Sequence, residues 1–272
     1  MSAFQFGPYF GFHHLLIILG IISIFFWSFL LAGCTSSNGL RNVYLFALSY
    51  KKGPASTPMD PWLVNENITQ ALQSQVSESA NIIQEVRVGY LALCVAFDSG
   101  VWSCSTNIQE LAALVSDGNG DPLNLLRLAE RVRTGTFFYA SIIIALVLTF
   151  ICVCLFGTFP GWQEGSDDDA TEIKPFPSRL ILQSILWISA LATLLGLASA
   201  FWQHIGGAGA STLTRLLTYD LVEAQVGPTS VALGWAAAAI SAVITYGAVV
   251  IYLSIKVLVA LGLGMPPTSS SL

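Results

Sequence analysis

Charged side chains are scarce in this sequence. They make up 10% of residues, where an average soluble domain carries about a quarter. That shortage argues against a soluble domain, whose helices need a polar stripe facing water. Histidine occurs only at positions 13, 14 and 204. None of the three has Cys or carboxylate neighbours at metal-ligand spacing, so no metal is expected. No glycine-rich loop is followed by Lys-Ser/Thr, which argues against a P-loop nucleotide site. No basic block points to nucleic acid as a partner. No nucleophile, base and oxyanion donor converge, so the chain reads as non-enzymatic and without a cofactor.

Apolar residues, in contrast, make up 54% of the chain. They gather in runs at 15–32, 137–156, 180–202 and 231–263, the last broken only by Lys256. Crossing about 30 Å of hydrocarbon takes roughly 20 residues of helix, and each run is long enough. The runs hold no Asp, Glu or Arg, which leaves no proton relay or ion site inside the bilayer. Lys256 is expected to snorkel to the interface. Trp27, Phe29, Tyr139, Trp187, Trp202 and Trp235 lie within or beside the runs, and Tyr and Trp favour membrane interfaces. The first run ends in Leu31-Ala32-Gly33-Cys34, which resembles a lipoprotein cleavage box. Residues 1–12 contain no Lys or Arg, so the run reads as a retained helix and not a cleaved signal. The fold expected is an all-α transmembrane four-helix bundle. Its large extracellular loop should contain a small β-sheet and helices.

The segments follow from the runs. Residues 1–14 form a short cytosolic segment, 33–136 the large loop, and 157–179 an acidic cytosolic loop. Residues 203–230 form a second outer loop and 264–272 a cytosolic tail. In the large loop, 43–50 reads as a strand and 62–85 as a polar helix. Residues 86–97 are rich in β-formers, and 101–104 can pair back on them. Asp121-Pro122 reads as a helix cap followed by a first-turn proline, opening a helix that continues into the second span. In the second outer loop, 206–209 reads as a glycine hinge. A short amphipathic helix follows it, with Leu213, Leu216, Leu217 and Leu221 on one face.

Sidedness rests on charge. Loops longer than about 60 residues translocate regardless of their basic residues. With the large loop discounted, Lys174, Arg179 and Lys256 fall on one side and Arg215 on the other. That places both termini in the cytosol, although Arg131 and Arg133 near the second span argue the other way. Asn67-Ile68-Thr69 is a glycosylation sequon in the same large loop. Cys94 and Cys104 lie in the expected hairpin, and an oxidising compartment would let them bridge. Two buried free thiols are the alternative. A bridge over about ten residues contributes roughly 2–3 kcal/mol in the chain-entropy model.

Other motifs have plainer readings. Residues 117–121 match the first, third and fifth positions of a calcium loop. Pro122 stands where glycine is required and Leu128 where a bidentate Glu belongs, so the segment reads as a turn and cap. Asp167-Asp168-Asp169 reads as a solvated turn. Cys152 and Cys154 read as apolar lining near the cytosolic end of the second span, with palmitoylation as the rival. Cys34 has no evident partner.

Three stretches together carry a resemblance. Leu31-Ala32-Gly33-Cys34-Thr35-Ser36-Ser37 runs on into NVYLFALSY, VRVGYLALCVAF follows, and then Gly100-Val101-Trp102-Ser103-Cys104-Ser105. They resemble the fungal calcium-regulator and membrane-fusion family, the factor-induced mating proteins of the claudin-like four-span group. The resemblance implies a multi-pass plasma-membrane glycoprotein that supports calcium influx and cell fusion during mating. It implies membrane-protein partners such as a calcium channel, and self-association is compatible with it. Gly33, Cys34, Gly89, Tyr90, Gly100 and Trp102 are the family-motif residues, with Trp102 expected to pack on a Cys94–Cys104 bridge. Claudins place two cysteines after Gly-Leu-Trp. Here Gly100-Val101-Trp102 stands between the cysteines, so the claudin pore role does not carry over. A structural organiser of a plasma-membrane domain, of the eisosome or pH-sensing four-span type, is the competing reading.

Overall fold

The computed structural model describes residues 11–50, 74, 83–116, 121–159, 178–218 and 221–261. Six helices and five strands are considered. They are α1 (Phe12–Leu31), β1 (Phe46–Tyr50), β2 (Ile83–Val88), β3 (Leu93–Phe97), β4 (Trp102–Ser105), α2 (Ile108–Ser116), α3 (Leu125–Thr136), α4 (Tyr139–Gly157), α5 (Arg179–Leu217), β5 (Val222–Val226) and α6 (Pro228–Ala260). Four of the helices, α1, α4, α5 and α6, are long and apolar enough to cross a membrane. Contacts divide the chain into two units, and three segments make the first: residues 1–25, 142–197 and 236–272.

The first unit is a helix bundle. Leu16, Cys152, Phe156, Ile185, Ile244 and Ala248 form its buried core. Large apolar side chains such as Trp187, Leu194 and Tyr246 stay exposed. That inversion suits a helix whose solvent is lipid, because lipid tails are as apolar as the side chains they meet. Helix-to-helix polar links are made by hydroxyls: Ser23 pairs with Ser241 at 3.1 Å, and Thr193 with Thr245 at 2.8 Å.

The second unit, residues 26–141 and 198–235, is built on an antiparallel sheet in the order β4-β3-β2-β1-β5. β1 and β3 are buried at nearly every position, which accounts for their apolar runs. β5 comes from the second loop and pairs with β1, Phe46 opposite Val226 and Tyr50 opposite Val222. The sequence reading places no strand there. Its alternation of Val222, Ala224 and Val226 with Glu223 and Gln225 is the period-2 signal of a half-buried strand.

Three expectations need correction. α5 runs unbroken through 206–209, so there is no hinge and no separate short helix. Side chains built at Gly206 and Gly207 would crowd Thr136 and Val226, at 3.0 and 3.2 Å. These glycines are there for close packing, which offsets a helix penalty of about 1 kcal/mol each. Leu213, Leu216 and Leu217 are exposed and form no buried face. Helix continuity also fails between α3 and α4. Phe137 turns extended (φ −106°, ψ 115°). Its ring stacks on Phe46 and meets Tyr90 edge-on, with centroids at 5.9 and 6.1 Å. Burying that ring outweighs one uninterrupted helix. Finally, residues 83–85 of the expected polar helix belong to β2, and its other residues, apart from Ser74, lie outside the described residues.

Asp121 caps α3 from four residues before its first turn. Its carboxylate accepts from the Leu125 and Leu126 amides at 2.8 and 3.0 Å, and from the Tyr50 hydroxyl at 2.7 Å. Burial and this bond to Asp121 both raise the Tyr50 pKa. Removing a side-chain cap costs about 1–2 kcal/mol. Asp121→Ala should therefore lower the thermal midpoint of the purified protein by several degrees. Tyr50→Phe, which leaves both amide bonds intact, should lower it less. Equal midpoints for Asp121→Ala and wild type would contradict the capping role.

Candidate functional site

Of the residues expected to form the motif, Gly33, Cys34, Gly89 and Trp102 gather where the end of α1 meets the sheet. After Leu31 the chain makes a tight turn. Thr35 Oγ1 donates to the Ala32 carbonyl at 2.7 Å, and Cys34 adopts the left-handed region (φ 63°). That conformation costs a non-glycine residue about 1–2 kcal/mol. The Cys34 amide donates to Leu40 O at 3.0 Å, closing the loop that holds it there.

Gly33 and Gly89 touch backbone to backbone. A side chain at Gly89 would collide with the Gly33 carbonyl, and one at Gly33 with the Val43 carbonyl. Glycine is required at both by this close approach. Gly100 plays a different part: its φ of 77° makes the turn between β3 and β4.

Cys94 and Cys104 stand opposite one another on β3 and β4 and are joined by a disulfide, with Cα atoms 4.0 Å apart. Cys34, Ala92 and Cys94 form a buried cluster, with Tyr44, Trp102 and Cys104 packed against it. Cys94 Sγ lies 3.3 Å from the Cys34 carbonyl oxygen. This is a packing contact, because a disulfide sulfur carries no proton to donate. Burial pushes the Cys34 thiol up to about 12, so it stays protonated at neutral pH and is a poor nucleophile or metal ligand. Tyr90 is buried and donates its hydroxyl to Gln203 Oε1 at 3.2 Å. Burial raises its pKa too.

The sequence reading missed the charged centre of this cluster. The Arg87 guanidinium lies 4.3 Å from the Trp102 ring centroid and 4.9 Å from that of Tyr44. Its Nε donates to Glu85 Oε1 at 2.7 Å, and Nη1 donates to Arg41 O and Asn42 Oδ1 at 3.2 and 2.8 Å. Arg41 also approaches Trp102, at 5.6 Å. A planar cation with a fork of donors suits this setting, where a lysine would not. Two-residue spacing of Glu85 and Arg87 on a strand was the available signal, since it puts both on one face.

This arrangement braces the sheet against the end of α1. It presents no nucleophile–base pair, and no group of three or more His, Cys, Asp or Glu could hold a metal among the described residues. Asn67 lies outside the described residues. The free cysteines Cys152 and Cys154 lie on α4, one buried and one exposed.

A family model described as Ca2+ regulator and membrane fusion protein Fig1 matches residues 70–254. The chain belongs to the Fig1 family. The match covers Gly89, Tyr90, Gly100, Trp102 and both bridged cysteines, and runs through most of α6. Gly33 and Cys34 precede the matched residues and reach Gly89 and Cys94 through contact. No curated protein matches the chain.

Two outcomes test the site. Cys94→Ser and Cys104→Ser should destabilise the protein equally, and the double variant no more than either single, as partners in one bond require. Simply additive losses would contradict the bridge. At pH 8 a thiol of pKa about 12 is ionised in only about one molecule in ten thousand. Maleimide should therefore label Cys34 after denaturation and hardly before it. Rapid labelling of native protein at Cys34 would contradict its burial.

Proposed function

We propose that this protein regulates calcium influx and membrane fusion at the plasma membrane during fungal mating. It acts on a conducting partner and does not itself catalyse a reaction. The match of residues 70–254 to the Fig1 family carries this reading. Multiple apolar spans put it in a bilayer. Both termini are cytosolic in this reading, and the sheet and its disulfide face the oxidising exterior, where a bridge persists.

The composition of the bundle supports a regulator over a pore. Calcium takes six to eight oxygen ligands, carboxylates prominent among them. The apolar runs contain no Asp or Glu. The braced cluster around Trp102 and Arg87 would be the working surface, with a membrane-protein partner such as a calcium channel reading its shape. Trp102 has two roles, packing on the bridge and holding Arg87. Trp102→Phe keeps an aromatic face, and Trp102→Ala keeps neither role.

The direct test is cytosolic calcium in pheromone-treated fungal cells. Deletion of the gene should abolish the rise. Wild type should restore it fully, Trp102→Phe in part, and Trp102→Ala should fail while still reaching the cell surface. An unchanged calcium rise in the deletion, with surface domains or fusion disturbed, would replace this reading with that of a membrane-domain organiser.

A further inference from the structure

Three arginines lie on α3, and only one of them has a partner within the fold. Arg133 Nη2 donates to Glu130 Oε1 at 2.9 Å, one turn back on the same helix, so these two charges cancel. Arg127 and Arg131 are exposed. Their four-residue spacing puts them on one face of the helix, a turn apart. Among the described residues neither makes a hydrogen bond or an ion pair. Elsewhere in the second unit, Arg87 is held by Glu85 and Arg41 lies over Trp102. Asp121, at the start of α3, is committed to Tyr50 and two backbone amides. The face made by Arg127 and Arg131 therefore carries two positive charges, with no unpaired carboxylate on α3 to offset them.

The position of this face selects its partner. α3 ends at Thr136, whose carbonyl accepts from Trp202 Nε1 at 2.6 Å. Trp202 closes the third apolar run, and Phe137 opens the second. Phe138, Tyr139 and Trp202 are exposed, and the Phe138 and Trp202 rings lie 6.4 Å apart. Exposed aromatic rings where two apolar runs end mark a membrane interface. Arg131 precedes Thr136 by five residues, so its backbone lies within about 8 Å of that level however α3 is tilted. A headgroup layer is roughly 5–7 Å thick, and a long arginine stem can reach across the difference. Lipid phosphate is the abundant anion at this depth, and a guanidinium can bind phosphate through two parallel hydrogen bonds.

We propose that Arg127 and Arg131 together hold the headgroup of an anionic phospholipid, whose acyl chains run along Phe138 and Trp202. Two unpaired positive charges favour a headgroup of net negative charge. A zwitterionic headgroup would bring its own cation against them.

Trp202 serves as the reporter, because it stands where the acyl chains would pass. The full-length protein is reconstituted in phosphatidylcholine vesicles containing a fixed fraction of brominated lipid, either phosphatidylglycerol or phosphatidylcholine. Bromine quenches tryptophan on contact, and the difference from Trp202→Phe assigns the share that belongs to Trp202. Brominated phosphatidylglycerol should quench Trp202 in the wild type roughly twice as strongly as brominated phosphatidylcholine, or more. Arg127→Gln combined with Arg131→Gln should bring the two lipids to parity. The thermal midpoint should stay unchanged, because neither side chain has a partner within the fold. Arg127→Lys combined with Arg131→Lys should keep part of the preference, since a point charge still attracts phosphate. Arg215→Gln, at a site about 20 Å farther along α5 than Trp202, should keep all of it. Equal quenching by the two lipids in the wild type would overturn the proposal and favour an acidic protein as the partner of these arginines. A preference that survives the double Gln substitution would place the acidic lipid elsewhere and overturn it too.

Discussion

Pairing of β1 on both of its edges is the constraint on which the second unit depends. A buried strand cannot leave its amides and carbonyls unpaired without a penalty comparable to a lost hydrogen bond for each. β1 is almost wholly buried, and it satisfies this demand with β2 on one side and β5 on the other. The ladder extends past the strand itself. The Leu45 amide donates to Val88 O at 2.7 Å, the Gly227 amide to Leu45 O at 2.9 Å, and the Ser230 hydroxyl to Tyr44 O at 2.6 Å. Segments far apart in the chain are thereby fixed to one strand that follows closely on α1. β5 leads almost directly into Pro228, the first residue of α6, where a proline's missing amide costs nothing.

On the β4 side, the same sheet sets the geometry of the motif residues. β3 places Cys94 opposite Cys104, and β2 places Arg87 where Tyr44 and Trp102 flank it. Two glycines let the backbone at the end of α1 come into contact with the turn after β2. Each contact is modest alone. The Glu85–Arg87 ion pair is partly buried, where even an exposed pair is worth about 0–1 kcal/mol, and a cation–π contact is worth about 0.5–2 kcal/mol. Together they brace one small region from several directions.

Legibility in the sequence followed the strength of each physical signal. The four apolar helices were plain, because no other structure accommodates runs of that length without a polar stripe. The strands of the large loop could be read from β-branched residues in short runs. The pairing of β5 with β1 could not, because hydrogen bonding between segments some 180 residues apart leaves no local trace. Glycine was misread for a similar reason. At 206–209 its flexibility suggested a hinge, whereas the positions of Thr136 and Val226 make Gly206 and Gly207 close-packing residues. Phe137 looked like the first residue of a span, but its ring is committed to Phe46 and Tyr90. Within the site, Gly89, Tyr90, Trp102 and the cysteines were visible as motif residues. Arg87, Glu85 and Tyr44 were not, since ordinary residues in or beside strands acquire meaning only when their neighbours are known.

The central claim is that this Fig1-family protein acts on calcium influx without carrying the ion. Calcium flux into liposomes containing only the purified full-length chain tests it most directly. The account predicts no flux above that of protein-free liposomes, whichever way the chain is oriented and whatever voltage is imposed. A saturable calcium current from the purified chain alone would contradict it and make the protein a channel in its own right.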